Sequence, residues 1–192
     1  RIALEDRGFT TIGSEQNLGI ALAYKALIEA CESDHFLFLE HDWKSFIPAE
    51  EAVKTLHDSC LLLDSGRVEA IRLRHRTNFG DPLYSRHLMH DVLSTHPQHA
   101  MDAVHWSEDP VSQYPGVFTK ESFGETDFII SKAEHAAFTN NPTIYKTDFL
   151  RDKILPLTNI PGGTLESEIQ NWWCKQNFNV GRPWEGVFTH AP

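Results

Sequence analysis

The segment LFLEHDW closes an apolar run with two carboxylates two positions apart, Glu40 and Asp42. On an extended chain, side chains at i and i+2 point to the same side. Two carboxylates facing one way repel unless something neutralises them. A hard divalent cation, Mn²⁺ or Mg²⁺, does so through oxygen ligands and leaves positions open for phosphate oxygens. The competing reading is a polar strand end and loop that holds nothing. Eleven histidines add further donors. His87–His90 and His96–His99 are HxxH pairs, and on a helix i and i+3 share a face, so His87 and His90 are a zinc candidate. Neither pair carries the glutamate of an HExxH motif. Arg72, Arg74 and Arg76 of RLRHR form a basic island in an acidic chain. It suits phosphates or an anionic acceptor, or it is one solvated strand face. Trp43, Trp173 and Trp184 are candidate platforms for a sugar ring, whereas most tryptophans in any fold are core residues.

These groups need elements to position them. Residues 19–31 place Ile20, Ala23, Leu27 and Ala30 at helical spacing, and Asn17 can cap that helix. HFLFLE, residues 35–40, reads as a buried strand. Residues 48–63 read as a helix, with Pro48 near its first turn and Glu50 and Glu51 at its positive end. VEAIRLR, residues 68–74, alternates as a strand does. Helix, strand, helix, strand is the signature of an α/β sheet, and ligands of open α/β sheets gather at the carboxyl ends of strands, where Glu40 and Asp42 fall. Residues 75–126 read as a long insertion or active-site loop with a short helix around 85–93. Residues 127–131 read as a strand, 147–155 as a short helix stopped by Pro156, and 164–176 as a helix capped by Thr164. Residues 178–180 and 186–190 read as final short strands.

The order of these pieces resembles nucleotide-sugar glycosyltransferases of the GT-A fold, especially the family-2-like group. The residues that carry the resemblance are Asn17-Leu18-Gly19, the small-residue helix to Cys31, the FLFL strand and Glu40-His41-Asp42. Two further blocks follow: residues 131–150, similar to a strand-turn segment of the acceptor pocket, and Gly162-Gly163-Thr164-Leu165-Glu166-Ser167-Glu168. The resemblance implies a GT-A-like, Rossmann-like mixed sheet flanked by helices. It implies that Asn17, Glu40 and Asp42 serve the nucleotide-sugar donor, with Asp42 on the metal that bridges the diphosphate. Glu in the first acidic position departs from the family's Asp-x-Asp. The resemblance further makes Glu166 or Glu168 the catalytic base of an inverting transfer, Glu166 being nearer the turn. An acceptor hydroxyl needs such a base, and a helix start keeps the carboxylate ionised. A capping box with Thr164 and Ser167 explains the same residues without catalysis. A late histidine, His190, completes the implied metal set with Glu40 and Asp42. A GT-A domain begins with a strand-helix-strand unit that holds the base, and sixteen residues before Asn17 are too few for it. The expectation is therefore one catalytic domain over 1–192, truncated at its N-terminus, with Trp184 and Trp173 on the acceptor side.

Composition bounds the rest. The 192 residues are 41% hydrophobic and 23% charged, as in a folded domain. A net charge of −10 argues against nucleic acid as a partner. A divalent cation still allows an acidic chain to bind an anionic nucleotide. No apolar stretch is long enough to span a membrane. Three widely spaced cysteines give no disulfide framework and favour a reducing, cytoplasmic setting. The expected partners are a nucleotide-sugar donor and a glycan, lipid or protein acceptor. Two other classes remain: a non-catalytic glycan- or protein-binding module on a degenerate GT-A fold, and a zinc hydrolase using the HxxH pairs.

Overall fold

The structure is a computed structural model that describes residues 11–80, 86, 91–158 and 165–191, the side chain of Glu168 excepted. Among these residues, six strands form one mixed sheet. In chain order they are β1 (His35–Phe38), β3 (Ala70–Arg72), β4 (Thr119–Phe123), β5 (Thr126–Lys132), β6 (Thr143–Lys146) and β7 (Asn179–Pro183). The order across the sheet is β1-β6-β3-β7-β5-β4. Only β3 and β7 run parallel, and every other neighbouring pair is antiparallel. Two further short strands, β2 (Trp43–Ser45) and β8 (Phe188–His190), pair antiparallel with each other outside the main sheet.

Helices cover both faces. Helix α1 (Gly19–Ala30) is rich in Ala and Leu, which lose little on becoming helical. The Asn17 side chain accepts the Gly19 amide at 3.0 Å and fixes the entry turn. Helix α2 (Ala49–Asp64) follows Pro48 and carries Glu50 and Glu51 in its first turn. Helix α3 (Leu165–Trp173) places Leu165, Ile169 and Trp173 on one stripe, and all three are buried.

The strands divide two cores by their period of two. Ala70, Ile129, Tyr145 and Val180 face the core under α1 and α3, with Tyr24, Ile28, Met101 and Trp173. Ile71, Phe128, Ile130 and Ile144 face the core under α2, with Leu62, Leu63 and Phe188. A sheet buried on both faces explains why its inner strands read as apolar runs.

Several local expectations are corrected. The strand before Glu40 ends at Phe38, so Glu40 and Asp42 do not lie on extended chain. They flank a turn closed by the Trp43 amide on the Glu40 carbonyl at 3.3 Å. The region 75–126 is not only loop, since it contains a 3₁₀ segment (Pro97–Trp106) and β4. Of the short helix expected around 85–93, the described part is a turn of helix at Val92–Thr95. Arg72 and Arg74 are buried, so RLRHR is not a solvated strand face.

Candidate functional site

The pairing of β2 with β8 does the decisive positioning. It sets Trp43 opposite His190, so the turn after β1 and the end of the chain meet. His190 Nε2 lies 3.1 Å from Asp42 Oδ2 although 148 residues separate them. The Ala191 amide donates to the Asp42 carbonyl at 2.6 Å and closes the contact from the backbone side. The Trp43 indole packs edge-on against the His190 ring, with centroids 5.0 Å apart. Gly80 bridges to His190 with φ +68, and a Cβ there would fall on the His190 carbonyl. Only glycine fits that approach.

A cavity of about 590 Å³ opens beside this pair, lined among others by Glu40, Trp43, Arg72, Glu166 and His190. Burial and then the charges of Asp42 and Glu166 raise the Glu40 pKa above its ordinary value, while His41 and His190 lower it. Three carboxylates thus feel one another here, and their mutual repulsion adds to burial in raising the Glu40 pKa.

The site can be tested for a divalent cation by its own geometry. Two ligands at adjacent corners of an octahedron, each ~2.1 Å from the ion, stand ~3 Å apart. Asp42 Oδ2 and His190 Nε2 meet that spacing. Asp42 Oδ1 and His190 Nδ1 are buried without a protein hydrogen-bond partner. Among the described residues, however, no group of three or more His, Cys, Asp or Glu side chains is arranged to hold a metal. The expected trio Glu40, Asp42 and His190 is therefore not assembled as a ligand set; Asp42 and His190 meet as a hydrogen-bonded pair, with Glu40 at the same cavity. A two-point attachment fits Mg²⁺ or Mn²⁺, which commonly keep waters and substrate phosphates as their other ligands.

Glu166 stands at the start of α3, and its Oε1 accepts the Asn140 amide at 2.8 Å. The same face of α3 is fastened twice more. Gln170 Oε1 accepts the Phe138 amide at 2.6 Å, and Trp173 Nε1 donates to the Ala136 carbonyl at 2.7 Å. This ladder sets α3 against residues 136–140 and holds Glu166 at the cavity. Trp173 is therefore a core residue, packed on Phe138 and Phe178, and not an acceptor platform. Trp184 does not line the cavity either. Its ring lies under Arg76 and Lys120, at 5.1 and 4.7 Å, beside a separate pocket of about 280 Å³. Asn17 is not the cap that the sequence suggested, since Leu18 stands at that position; its side chain closes a local turn on the Gly19 amide and is not among the lining residues.

The arginines are held from within. Arg72 pairs with Asp102 at 3.0 Å; burial alone would raise the Asp102 carboxyl, but the His99 hydrogen bond and then the Arg72 charge hold it well below its usual range. Arg74 donates to the Phe79 and Gly80 carbonyls and to Asn141 Oδ1, with its guanidinium over the Trp43 ring. Behind them Arg182 is buried, and desolvation plus the neighbouring arginines bring its pKa down to about 9. Burial pushes His105 down to about 3, so it is a neutral hydrogen-bonding group. His99 lines the cavity, whereas the pair His87–His90 lies outside the described residues. The three cysteines are free thiols. No helix among the described residues is long and apolar enough to cross a membrane.

Sequence reasoning missed Asn140, Gln170 and Asp102 as lining residues. Gln170 was readable, since it stands four positions after Glu166 on the same helix face. Nothing local marks Asn140 or Asp102. No family model, curated protein or solved structure matches the chain.

Proposed function

We propose that the chain is the metal-binding and acceptor-side part of a GT-A-type, nucleotide-sugar-dependent glycosyltransferase. One observation carries the reading: Glu40, Glu166 and His190, singled out by type and order, line one cavity, and Asp42 is bonded to His190 at its wall. The mixed sheet flanked by helices on both faces agrees with this reading at the level of the α/β class, although four of its five neighbouring strand pairs are antiparallel, unlike a mostly parallel Rossmann-like sheet.

In this reading Asp42 and His190 would hold Mn²⁺ or Mg²⁺, whose charge would offset that of the leaving diphosphate. Glu166 takes the proton of the acceptor hydroxyl. The acceptor oxygen forms a bond to the anomeric carbon. The bond from that carbon to the diphosphate breaks on the opposite side, its electron pair leaves with the diphosphate, and configuration inverts. Glu168 remains the second candidate base by sequence.

A non-catalytic binding module draws on one specific observation: among the described residues no group of three or more His, Cys, Asp or Glu side chains is arranged to hold a metal. Calorimetric Mn²⁺ titration of the wild type and Asp42→Ala, with and without UDP, separates the two. The transferase reading expects Mn²⁺ binding that Asp42→Ala abolishes and UDP tightens. A folded wild type that binds no Mn²⁺ contradicts it.

A further inference from the structure

We propose that Arg72 is a positioning residue: it ties the buried segment 136–141 to β3 and so sets where Asn140 meets Glu166 at the cavity. The inference rests on the transferase reading for the role of Glu166, and it goes beyond that reading by naming a residue that acts through that carboxylate.

The first ground is the segment itself. It follows the 3₁₀ turn Ala133–His135 and forms neither helix nor strand, yet Ala136, Ala137 and Phe138 are buried. Irregular backbone inside a fold must find partners for its amides and carbonyls in other elements. Helix α3 supplies three of them: Trp173 for the Ala136 carbonyl, Gln170 for the Phe138 amide and Glu166 for the Asn140 amide. The 3₁₀ segment Pro97–Trp106 supplies the Gln98 carbonyl, which accepts the Ala137 amide at 2.6 Å. The Ala137 carbonyl is left to Arg72, which donates to it from β3.

The second ground is what Arg72 spans. One terminal nitrogen donates to Asp102 at 3.0 Å and the other donates to the Ala137 carbonyl. The planar fork thus joins the 3₁₀ segment and the buried segment to the sheet at once, which the single ammonium of a lysine does not do. A buried guanidinium is costly to desolvate, and an apolar side chain of similar volume would fill the same space without that cost. Such a side chain would leave the Ala137 carbonyl unheld.

The third ground is the other end of the segment. The Leu73 amide donates to the Pro142 carbonyl at 2.8 Å, and Arg74 donates to Asn141 Oδ1 at 3.2 Å. Asn140 therefore hangs between two attachments to one stretch of chain, Arg72 before it and Leu73 with Arg74 after it. The same Arg74 lies over the Trp43 ring and donates to the carbonyl of Gly80, the residue that bridges to His190. One stretch of backbone, residues 72–74, thus grips both ends of the cavity. Without Arg72 the segment would follow α3 alone. With it, the resting place of Glu166 is registered against the chain that also holds the Asp42–His190 end.

The test is backbone NMR of the full chain. In the wild type the Asn140 amide proton should shift with pH as the Glu166 carboxyl titrates, and Glu166→Gln should abolish that response. Arg72→Lys keeps a charge beside Asp102 and loses the fork. In this variant the Asn140 response should fall by about half or more, and amide exchange at Phe138 and Asn140 should be about tenfold faster, the loss of roughly one hydrogen bond. Exchange at Ile129 and Val180 in the sheet should stay that of the wild type. A folded Arg72→Lys with the wild-type Asn140 response would overturn the inference. Faster exchange spread evenly over the sheet would also overturn it, since that marks a loss of stability alone, as would a wild-type Asn140 amide that does not respond to Glu166. Should Arg72→Lys not fold, Asp102→Asn removes the counter-charge and leaves the guanidinium in place, with the same local loosening expected and the same results against it. Calorimetric Mn²⁺ titration of the wild type keeps the two ideas apart. Absent Mn²⁺ binding removes the transferase reading and leaves the positioning of Glu166 standing, whereas an unchanged Asn140 in Arg72→Lys removes the positioning only.

Discussion

The two carboxylates that matter most are held in different ways. Asp42 sits between β2 and the end of β8, locked to His190 and to the Ala191 amide by strand pairing, with the buried Trp43 beside it. Glu166 stands exposed at the first turn of α3 and is held by one backbone hydrogen bond from Asn140. The first arrangement fixes a position to the precision of a strand register. The second fixes a helix through Gln170 and Trp173 but leaves its terminal carboxylate free to adjust. In the proposed transferase the difference has a use: a cation would need preset ligands, whereas a base would meet a hydroxyl that arrives with each acceptor.

Breaking the two ends separately tests that contrast. Asp42→Ala has the largest expected effect: Mn²⁺ binding is lost, and turnover falls by ~10³-fold or more as several kcal/mol of leaving-group stabilisation disappear. Glu166→Gln is expected to reduce turnover by about 10²–10⁴-fold, the range of general-base catalysis. Its Mn²⁺ affinity stays that of the wild type, read by calorimetry. A parallel loss of metal affinity would show that the two ends are not independent.

Gly80→Ala probes the register without touching a ligand. A Cβ at this positive-φ residue collides with the His190 backbone, so His190 must shift. The expected result is an affinity for Mn²⁺ about 10- to 100-fold weaker, as when a ligand loses its orientation. An unchanged affinity would remove His190 from the metal site.

Glu40→Gln has the smallest effect and the clearest pH signature. The folded pKa of Glu40 lies above its ordinary 4.5, so the protonated form is favoured by folding. That stabilisation is fully present below the unfolded value and is lost as pH rises through the folded one. Thermal melts in EDTA should show the loss in the wild type and a flatter profile in Glu40→Gln. Saturating Mn²⁺ should shrink the difference, since the cation offsets the repulsion that raises the pKa. Coincident profiles without metal would contradict the electrostatic account of Glu40.

Much of this was legible in the sequence, and the failures have physical reasons. Helices α1, α2 and α3 and strands β1 and β5 announce themselves by apolar periodicity. The edge strand β4 does not, because its exposed Thr119, Lys120 and Ser122 read as loop. Strands β2 and β8 are three residues each, too short for any period, yet their pairing brings Asp42 and His190 together. The resemblance put Asp42 and His190 in one set, but no local pattern showed the strand pairing that brings them together. Trp173 was readable as core, since it repeats the spacing of Leu165 and Ile169 on one helix stripe. The arginines of RLRHR misled in the other direction. Their charge suggests solvent, but carbonyl groups and Asp102 meet them inside the fold. Asn140 was hidden because a neutral amide in a turn looks solvated until its backbone is seen to hold Glu166.

The most direct test of the central claim is paramagnetic broadening of the amide spectrum by Mn²⁺. The account predicts broadening centred on Asp42 and His190 that extends to Glu40, Glu166 and Asn140 and is absent in Asp42→Ala. Broadening centred elsewhere, for example around Asp64 or Glu125, or none at all, would contradict it.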